Sequence, residues 1–133
     1  MRMLIVDDSS DVCELIEMFL PEIDRKDTAC NGQEAVECFR NALAENDPYD
    51  LICMDIKMPV MDGRTAVKEI RAIEQECNVM FGDGVKIIMT TALRDRRNVM
   101  ESFWKDGCDA YLVKPFDRND LLDVIEKLVQ LAR

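Results

Sequence analysis

Short apolar runs alternate along the chain with longer segments in which apolar residues recur at helical spacing. The apolar runs predict five strands, and the second of these is the weakest because its residues are largely polar. These strands are expected at residues 3–6, 26–30, 51–54, 86–89 and 110–113. Strands that alternate with helices predict a parallel sheet covered by helices.

Each longer segment carries one apolar stripe of the kind that a helix buries against a sheet. The first stripe follows Ser9, Ser10 or Asp11, any of which can cap a helix. The stripes of the first, second, third and fifth helices contain Val12, Leu15, Ile16, Phe19 and Leu20; Ala35, Val36, Phe39 and Leu43; Ala66, Val67, Ile70 and Ile73; and Leu121, Leu122, Ile125, Leu128 and Val129. A fourth helix is predicted over about residues 96–106, and residues 77–84 predict a longer loop before the fourth strand.

Five strand–helix units predict an α/β fold with a doubly wound, five-stranded parallel sheet. Right-handed crossovers place helices on both of its faces and favour the strand order 2-1-3-4-5. The 133 residues fit one domain, residues 1–133, with a single well-buried core.

Polar residues stand at four of the five predicted strand ends, where such a sheet binds ligands. They are Asp7 and Asp8 after the first strand, Asp55 after the third, Thr90 and Thr91 after the fourth, and Lys114 after the fifth. Three carboxylates gathered in one crevice repel one another, and a hard cation with oxygen ligands relieves this repulsion. The sequence therefore predicts a Mg²⁺ site.

If Asp7 and Asp8 hold the metal, Asp55 is free to act as a carboxylate nucleophile, a known route to an aspartyl-phosphate. Lys114 would then supply positive charge to the transferred phosphoryl oxygens, and a threonine hydroxyl would donate a hydrogen bond to them. Considered singly, Asp7 and Asp8 could also be helix-capping acids, and Asp55 a turn residue before Pro59.

The combination of Asp7-Asp8, Asp55 within MDIKMPVMDG, Thr91-Ala92 and Lys114-Pro115-Phe116 resembles the receiver domains of bacterial two-component response regulators. This resemblance spans the chain and implies the flavodoxin-like fold of CheY. It also implies a regulatory domain that is not an enzyme beyond self-phosphorylation and slow self-dephosphorylation. A sensor histidine kinase or a phosphotransfer protein would supply the phosphoryl group.

The resemblance also assigns individual roles. Asp55 is the phosphoacceptor and binds Mg²⁺ together with Asp8, while Asp7 binds it through water or helps to position it. Lys57 offers its backbone carbonyl to the metal. The Lys57 side chain departs from the family pattern, and it is expected to project near the mouth of the site and to alter dephosphorylation. Thr91, rather than Thr90, is the switch hydroxyl, because Ala follows the switch hydroxyl in the family.

Output is expected through contact with a downstream protein. By resemblance, Tyr111 is the switch aromatic that turns inward with Thr91. The fourth helix, fifth strand and fifth helix form the output surface, and the first helix is the docking face for the kinase. A chemotaxis-type regulator and a phosphorelay shuttle both fit the sequence, and the chain could also be a receiver excised from a longer protein.

Composition narrows the possible partners and the compartment. A formal net charge of −10 disfavours nucleic acid and anionic membranes, and the N-terminal apolar run is too short for a signal peptide or a membrane span. A cytoplasmic protein is expected. The six cysteines include no C-x-x-C pair and the chain has no histidine, which disfavours zinc and favours reduced, structural thiols.

Two other functions remain open at the level of sequence. One is a receiver-fold scaffold that binds partners without phosphorylation, which the intact set of acids and Lys114 argues against. The other is a Mg²⁺-dependent phosphatase of the haloacid-dehalogenase type. Those enzymes carry their nucleophile at the first strand in a D-x-D pattern, whereas this chain has Asp7-Asp8-Ser9 there.

Overall fold

The computed structural model describes residues 1–80, 82–95 and 107–129. The strands in these ranges are β1 (Arg2–Val6), β2 (Arg25–Ala29), β3 (Leu51–Asp55), β4 (Lys86–Ala92) and β5 (Ala110–Lys114). The helices are α1 (Ser10–Phe19), α2 (Gly32–Ala44), α3 (Gly63–Glu76) and the post-β5 helix (Arg118–Leu128), with a short 3₁₀ turn at Leu93–Asp95. The fourth helix predicted over residues 96–106 lies outside the described residues.

The five strands form one parallel sheet in the order β2-β1-β3-β4-β5. This confirms the predicted fold class and strand order. β3 is the central strand and is buried along its whole length, so the residue at its carboxyl end is held on a rigid support.

Both faces of the sheet are buried, as a parallel sheet requires. Alternate residues of the central strands point to opposite sides. Leu4 and Ile52 belong to the core shared with α2 and α3, whereas Met3 and Leu51 belong to the core shared with α1 and the post-β5 helix. The four described helices therefore cover the sheet in two pairs, one on each face.

The predicted stripe of α1 is wrong at one position. Leu15 is 46 % exposed, and the buried face is centred on Cys13, Ile16 and Leu20. Helical spacing allowed either arrangement, and Cys13 serves as a small apolar residue of the core.

Burial raises the pKa of the Cys13 thiol to about 11 and that of the Cys53 thiol to about 12. The six cysteines all lie within the described residues, and none of them forms a disulfide bond there.

Each of the four described helices begins with a capping side chain that accepts a hydrogen bond from a backbone N–H of its first turn. This resolves the choice at α1 in favour of Ser9. The caps are Ser9, Asn31, Asp62 and Asp117. Because β1, β2 and β3 lead into three of these caps, the helices start immediately above the carboxyl edge of the sheet, close to the polar strand ends.

At the opposite edge of the sheet, Arg71 connects three parts of the fold. Its guanidinium group donates to the carboxylates of Glu74 and Asp109 at 2.7 and 3.0 Å and to the carbonyl oxygen of Val85 at 2.9 Å. Asp109 also accepts a hydrogen bond from the Ile87 N–H at 2.8 Å. The C-terminal part of α3 is thereby fixed to the starts of β4 and β5.

The segment between α3 and β4 agrees with the predicted loop over residues 77–84, since its described residues 77–80 and 82–84 belong to no strand or helix.

Candidate functional site

Asp55 is the last residue of β3 and lies where the buried strand meets solvent. It is only 8 % exposed. Loss of hydration, together with the nearby carboxylates of Asp7 and Asp8, raises the pKa of Asp55 to about 6, although Lys114 opposes the shift. A charge on this group is therefore costly unless a cation accompanies it.

The structure brings together the three acids that the sequence predicted to converge. Carboxylate oxygens of Asp7, Asp8 and Asp55 lie within 4.8 Å of one another. Asp7 is buried, whereas Asp8 is exposed, so the cluster is open on one side. An all-oxygen donor set with a solvent-facing side suits Mg²⁺, which retains several of its waters when bound to proteins. The residues present therefore fit this metal.

Lys114 is positioned between two of these acids by β5. Its Nζ atom lies 2.7 Å from Oδ2 of Asp7 and 3.4 Å from Oδ1 of Asp55. Partial burial lowers the pKa of Lys114, but the carboxylates outweigh this effect and raise the pKa overall. The second Asp7 oxygen, Oδ1, accepts a hydrogen bond from the Ser9 N–H at 2.9 Å. The Asp7 carboxylate is thus held through both of its oxygens, one by Lys114 and the other by the Ser9 N–H.

β4 extends further than the apolar run indicated and includes both threonines. Thr90 pairs with Asp55 across the sheet, and its carbonyl oxygen accepts from the Ile56 N–H at 3.1 Å. Thr91 contributes to the wall of a cavity of about 430 Å³ that also borders Asp55 and Lys114. Its hydroxyl donates to the Ala92 carbonyl oxygen at 3.4 Å. Successive residues of a strand face opposite ways, and Thr91 is the member of this pair that borders the cavity; its switch role stays a prediction.

Gly63 brings the end of the loop after β3 back against the carboxyl end of that strand. The Gly63 N–H donates to the Ile56 carbonyl oxygen at 2.8 Å. A Cβ atom at Gly63 would lie 2.2 Å from the carbonyl oxygen of Asp55, so any larger residue would collide with the backbone. The Asp62-Gly63 turn, visible in the sequence, thus fixes the position of Asp55.

Lys57 lies on this loop and is exposed, and its side chain points to Asp95 with an Nζ–Oδ1 distance of 3.0 Å. Arg64, Arg94 and Asp95 border the same cavity. None of these three was predicted as a site residue. No sequence pattern relates Lys57 to a partner 38 positions away, so this arrangement became visible only in the folded chain.

Tyr111, the predicted switch aromatic, is partly buried and packs against the core on the α2 and α3 side of the sheet. It stands opposite Met89 on β4, two residues before Thr91. Its place on β5 is compatible with the predicted role, which stays a prediction.

Comparison with known proteins identifies the class. Residues 3–126 match the response regulator receiver domain family. The chain belongs to this family, as the resemblance of its motifs implied. Within the described residues, no helix has both the length and the apolar character needed to cross a bilayer.

Relatives and solved structures agree with this assignment. The chain is 36 % identical to the chemotaxis protein CheY of Halobacterium salinarum over 96 % of both chains. It is 35 % identical to a segment of the sensor histidine kinase GacS of Pseudomonas protegens, covering 98 % of this chain but 13 % of that protein. The CheX-CheY-BeF₃-Mg²⁺ complex from Borrelia burgdorferi has a TM-score of 0.78 at 28 % identity, covering 97 % of this chain and 90 % of that one.

Proposed function

We propose that the protein is a phosphorylation-dependent signalling switch in which Asp55 accepts a phosphoryl group in the presence of Mg²⁺. One observation carries the proposal: three carboxylates converge at the carboxyl edge of the sheet, with the Lys114 ammonium group placed between Asp7 and Asp55. The metal site would consist of Asp7, Asp8, Asp55 and the backbone carbonyl of Lys57. The bound cation would neutralise negative charge on the acids and on the incoming phosphoryl group.

The nucleophile of the reaction is the carboxylate of Asp55. One of its oxygens attacks phosphorus of a phosphohistidine on a sensor histidine kinase or a phosphotransfer protein. The P–N bond breaks, its electron pair returns to the imidazole, and Asp55 becomes an acyl phosphate. Asp55 must be ionised to attack, and its raised pKa makes the neighbouring cations important for this state.

Lys114 and Thr91 would recognise the transferred group. The Lys114 ammonium already contacts Asp55 and can hydrogen-bond a phosphoryl oxygen from nearly the same position. Thr91 borders the same cavity, and its hydroxyl donates to the Ala92 carbonyl oxygen over a long distance of 3.4 Å. A shift of this hydroxyl toward the phosphoryl group, followed by Tyr111, would convert a local charge into a surface change.

The changed surface would be bound by a downstream protein. It comprises β5, the post-β5 helix and the predicted helix at residues 96–106. Both a chemotaxis-type regulator and a phosphorelay shuttle in the cytoplasm fit the relatives, which include CheY proteins and the GacS kinases. The Borrelia burgdorferi relative is a CheY in complex with CheX, which supports output by protein contact.

The test is intact-mass analysis after incubation with acetyl phosphate and Mg²⁺. We expect a single phosphoryl adduct on the unmodified chain and none on Asp55→Asn or in EDTA. A beryllofluoride titration, which needs no stable phosphate bond, guards against loss of a short-lived adduct. If neither a phosphoryl adduct nor beryllofluoride binding is seen, the results favour the scaffold that acts without phosphorylation. If the chain hydrolyses a small phosphate ester with turnover, they favour the phosphatase.

A further inference from the structure

Two residues that line the cavity beside Asp55 form an ion pair. Lys57 stands on the loop after β3 and Asp95 on the 3₁₀ turn after β4, and their side chains meet at 3.0 Å. Both residues border the cavity that Asp55 and Lys114 also line. The pair therefore connects the two loops that flank the site.

The two partners differ in their freedom to move. The Lys57 side chain is 68 % exposed, whereas that of Asp95 is 20 % exposed. Asp95 is held by the turn, and Lys57 has a flexible four-carbon stem with its head group in solvent. An ion pair this exposed is weak and is screened by salt. Lys57 is thus the partner that can leave.

Asp95 would keep a cation nearby if Lys57 moved. The Arg94 Nε atom lies 3.9 Å from its other carboxylate oxygen, Oδ2. The departure of Lys57 would therefore leave the Asp95 carboxylate with Arg94 beside it, which lowers the cost of the movement. Lys57 is also only two residues from Asp55, so its ammonium group starts at the edge of the site.

We propose that the Lys57 side chain is a second cationic ligand for a phosphoryl group on Asp55, and that Asp95 holds it in reserve while the site is unphosphorylated. The inference rests on the proposed function. Among the residues that the structure describes, Lys114 is the cation in contact with the acid cluster. A phosphoryl group adds negative charge at Asp55 and would draw Lys57 from Asp95 toward the site.

The test is a double-mutant cycle in the intact chain, with beryllofluoride as the phosphoryl mimic at saturating Mg²⁺ and calorimetry as the readout. Lys57→Met keeps the stem without the charge and is expected to weaken binding roughly two- to fivefold, the range of an exposed ion pair. Asp95→Asn frees Lys57 and is expected to strengthen binding by a similar factor. In the Lys57→Met background, the effect of Asp95→Asn should fall to less than half.

Three further variants separate specific from general effects. Lys57→Arg should retain most of the affinity, because it keeps a mobile cation. Lys68→Met removes an exposed lysine of α3 that does not border the cavity, and it should change affinity by less than 1.5-fold, roughly the smallest effect of an exposed charge pair. Arg94→Met should weaken binding less than Lys57→Met, because Lys57 can still reach the site but leaves Asp95 without a second cation beside it.

Two results would overturn the inference. One is unchanged binding in Lys57→Met. The other is an equal gain from Asp95→Asn with and without Lys57, which would mean that Asp95 acts only through its own charge. If the unmodified chain fails to bind beryllofluoride, the proposed function itself fails, so the two failures are distinguishable.

Discussion

At the scale of single residues, the ionisation of Asp55 opposes folding when no metal is bound. Its pKa rises from the ordinary aspartate value of 3.8 to about 6 in the fold, chiefly through burial. Between these values the folded chain binds more protons than the unfolded chain, so stability falls as pH rises through this window. A shift of this size corresponds to roughly 3 kcal/mol once the group is fully charged, at about 1.36 kcal/mol per pH unit.

Asp55→Asn removes this charge, so in EDTA it should stabilise the protein at pH 8 by about 1 to 3 kcal/mol. Near pH 4 the gain should be small, because Asp55 is then protonated in the fold. Urea unfolding of both proteins at the two pH values measures the difference. Asp24→Asn, at an exposed acid on another part of the surface, is the control. Equal stability of Asp55→Asn and the unmodified chain at pH 8 would contradict the expectation.

Val60 occupies a strained conformation in the loop after β3. Its φ of 68° lies in the left-handed region, which β-branched residues seldom adopt. Its side chain is 83 % exposed, so packing does not compensate for the strain. Val60→Gly should raise the free energy of unfolding by about 0.5 to 1 kcal/mol, because relief of strain exceeds the entropy cost of glycine. Val60→Ala should gain less stability than Val60→Gly. Chemical denaturation of the two variants and the unmodified chain measures the difference. A loss of stability in Val60→Gly would show that the valine side chain stabilises the loop.

At the scale of elements, the junction between β3 and α3 depends on a close backbone contact. A Cβ at Gly63 would stand 2.2 Å from the Asp55 carbonyl oxygen, and backbone cannot give way as a flexible side chain would. Gly63→Ala should therefore cost about 2 to 3 kcal/mol of stability and displace Asp55. Beryllofluoride affinity should fall with it.

Gly82→Ala provides the matched control for Gly63→Ala. Gly82 has a φ of 91°, but a Cβ there would meet nothing within 4 Å. Gly82→Ala should therefore lower the free energy of unfolding by about 1 to 2 kcal/mol through backbone strain alone, without any effect on the site. If Gly63→Ala were as stable as the parent and bound beryllofluoride equally well, the contact would not position Asp55.

The elements and the site differ in how far the sequence predicts them. Apolar periodicity predicts the five strands and the described helices, and the handedness of crossovers then restricts the strand order. The acids and Lys114 are predictable as neighbours because parallel strands end at one edge. The sequence predicts Leu15 to be buried, but it is exposed, because the helical period of α1 is compatible with two adjacent apolar stripes and the stripe through Cys13 is the buried one. The Lys57–Asp95 pair was missed because it depends on how two loops face each other across the cavity.

At the scale of the whole molecule, the acid cluster makes folding and metal binding interdependent. Asp7, Asp8 and Asp55 bring three formal negative charges together in the fold, and the adjacent ammonium group of Lys114 offsets one of them. The unfolded chain does not hold these groups together and should bind Mg²⁺ much more weakly. Binding to the folded state alone stabilises it by about 2.7 kcal/mol at a metal concentration one hundred times Kd.

Mg²⁺ should therefore raise the melting temperature of the unmodified chain by several degrees, in proportion to the logarithm of its concentration above Kd. Asp8→Asn should abolish most of this rise while leaving the metal-free protein folded, because Asp8 is exposed. Asp24→Asn should preserve the full rise, and NaCl at matched ionic strength should not imitate Mg²⁺. Calorimetric melting of these proteins across a Mg²⁺ series is the measurement. An equal rise in Asp8→Asn would mean that the cation stabilises the protein by screening its net charge of −10 rather than by binding at the acid cluster.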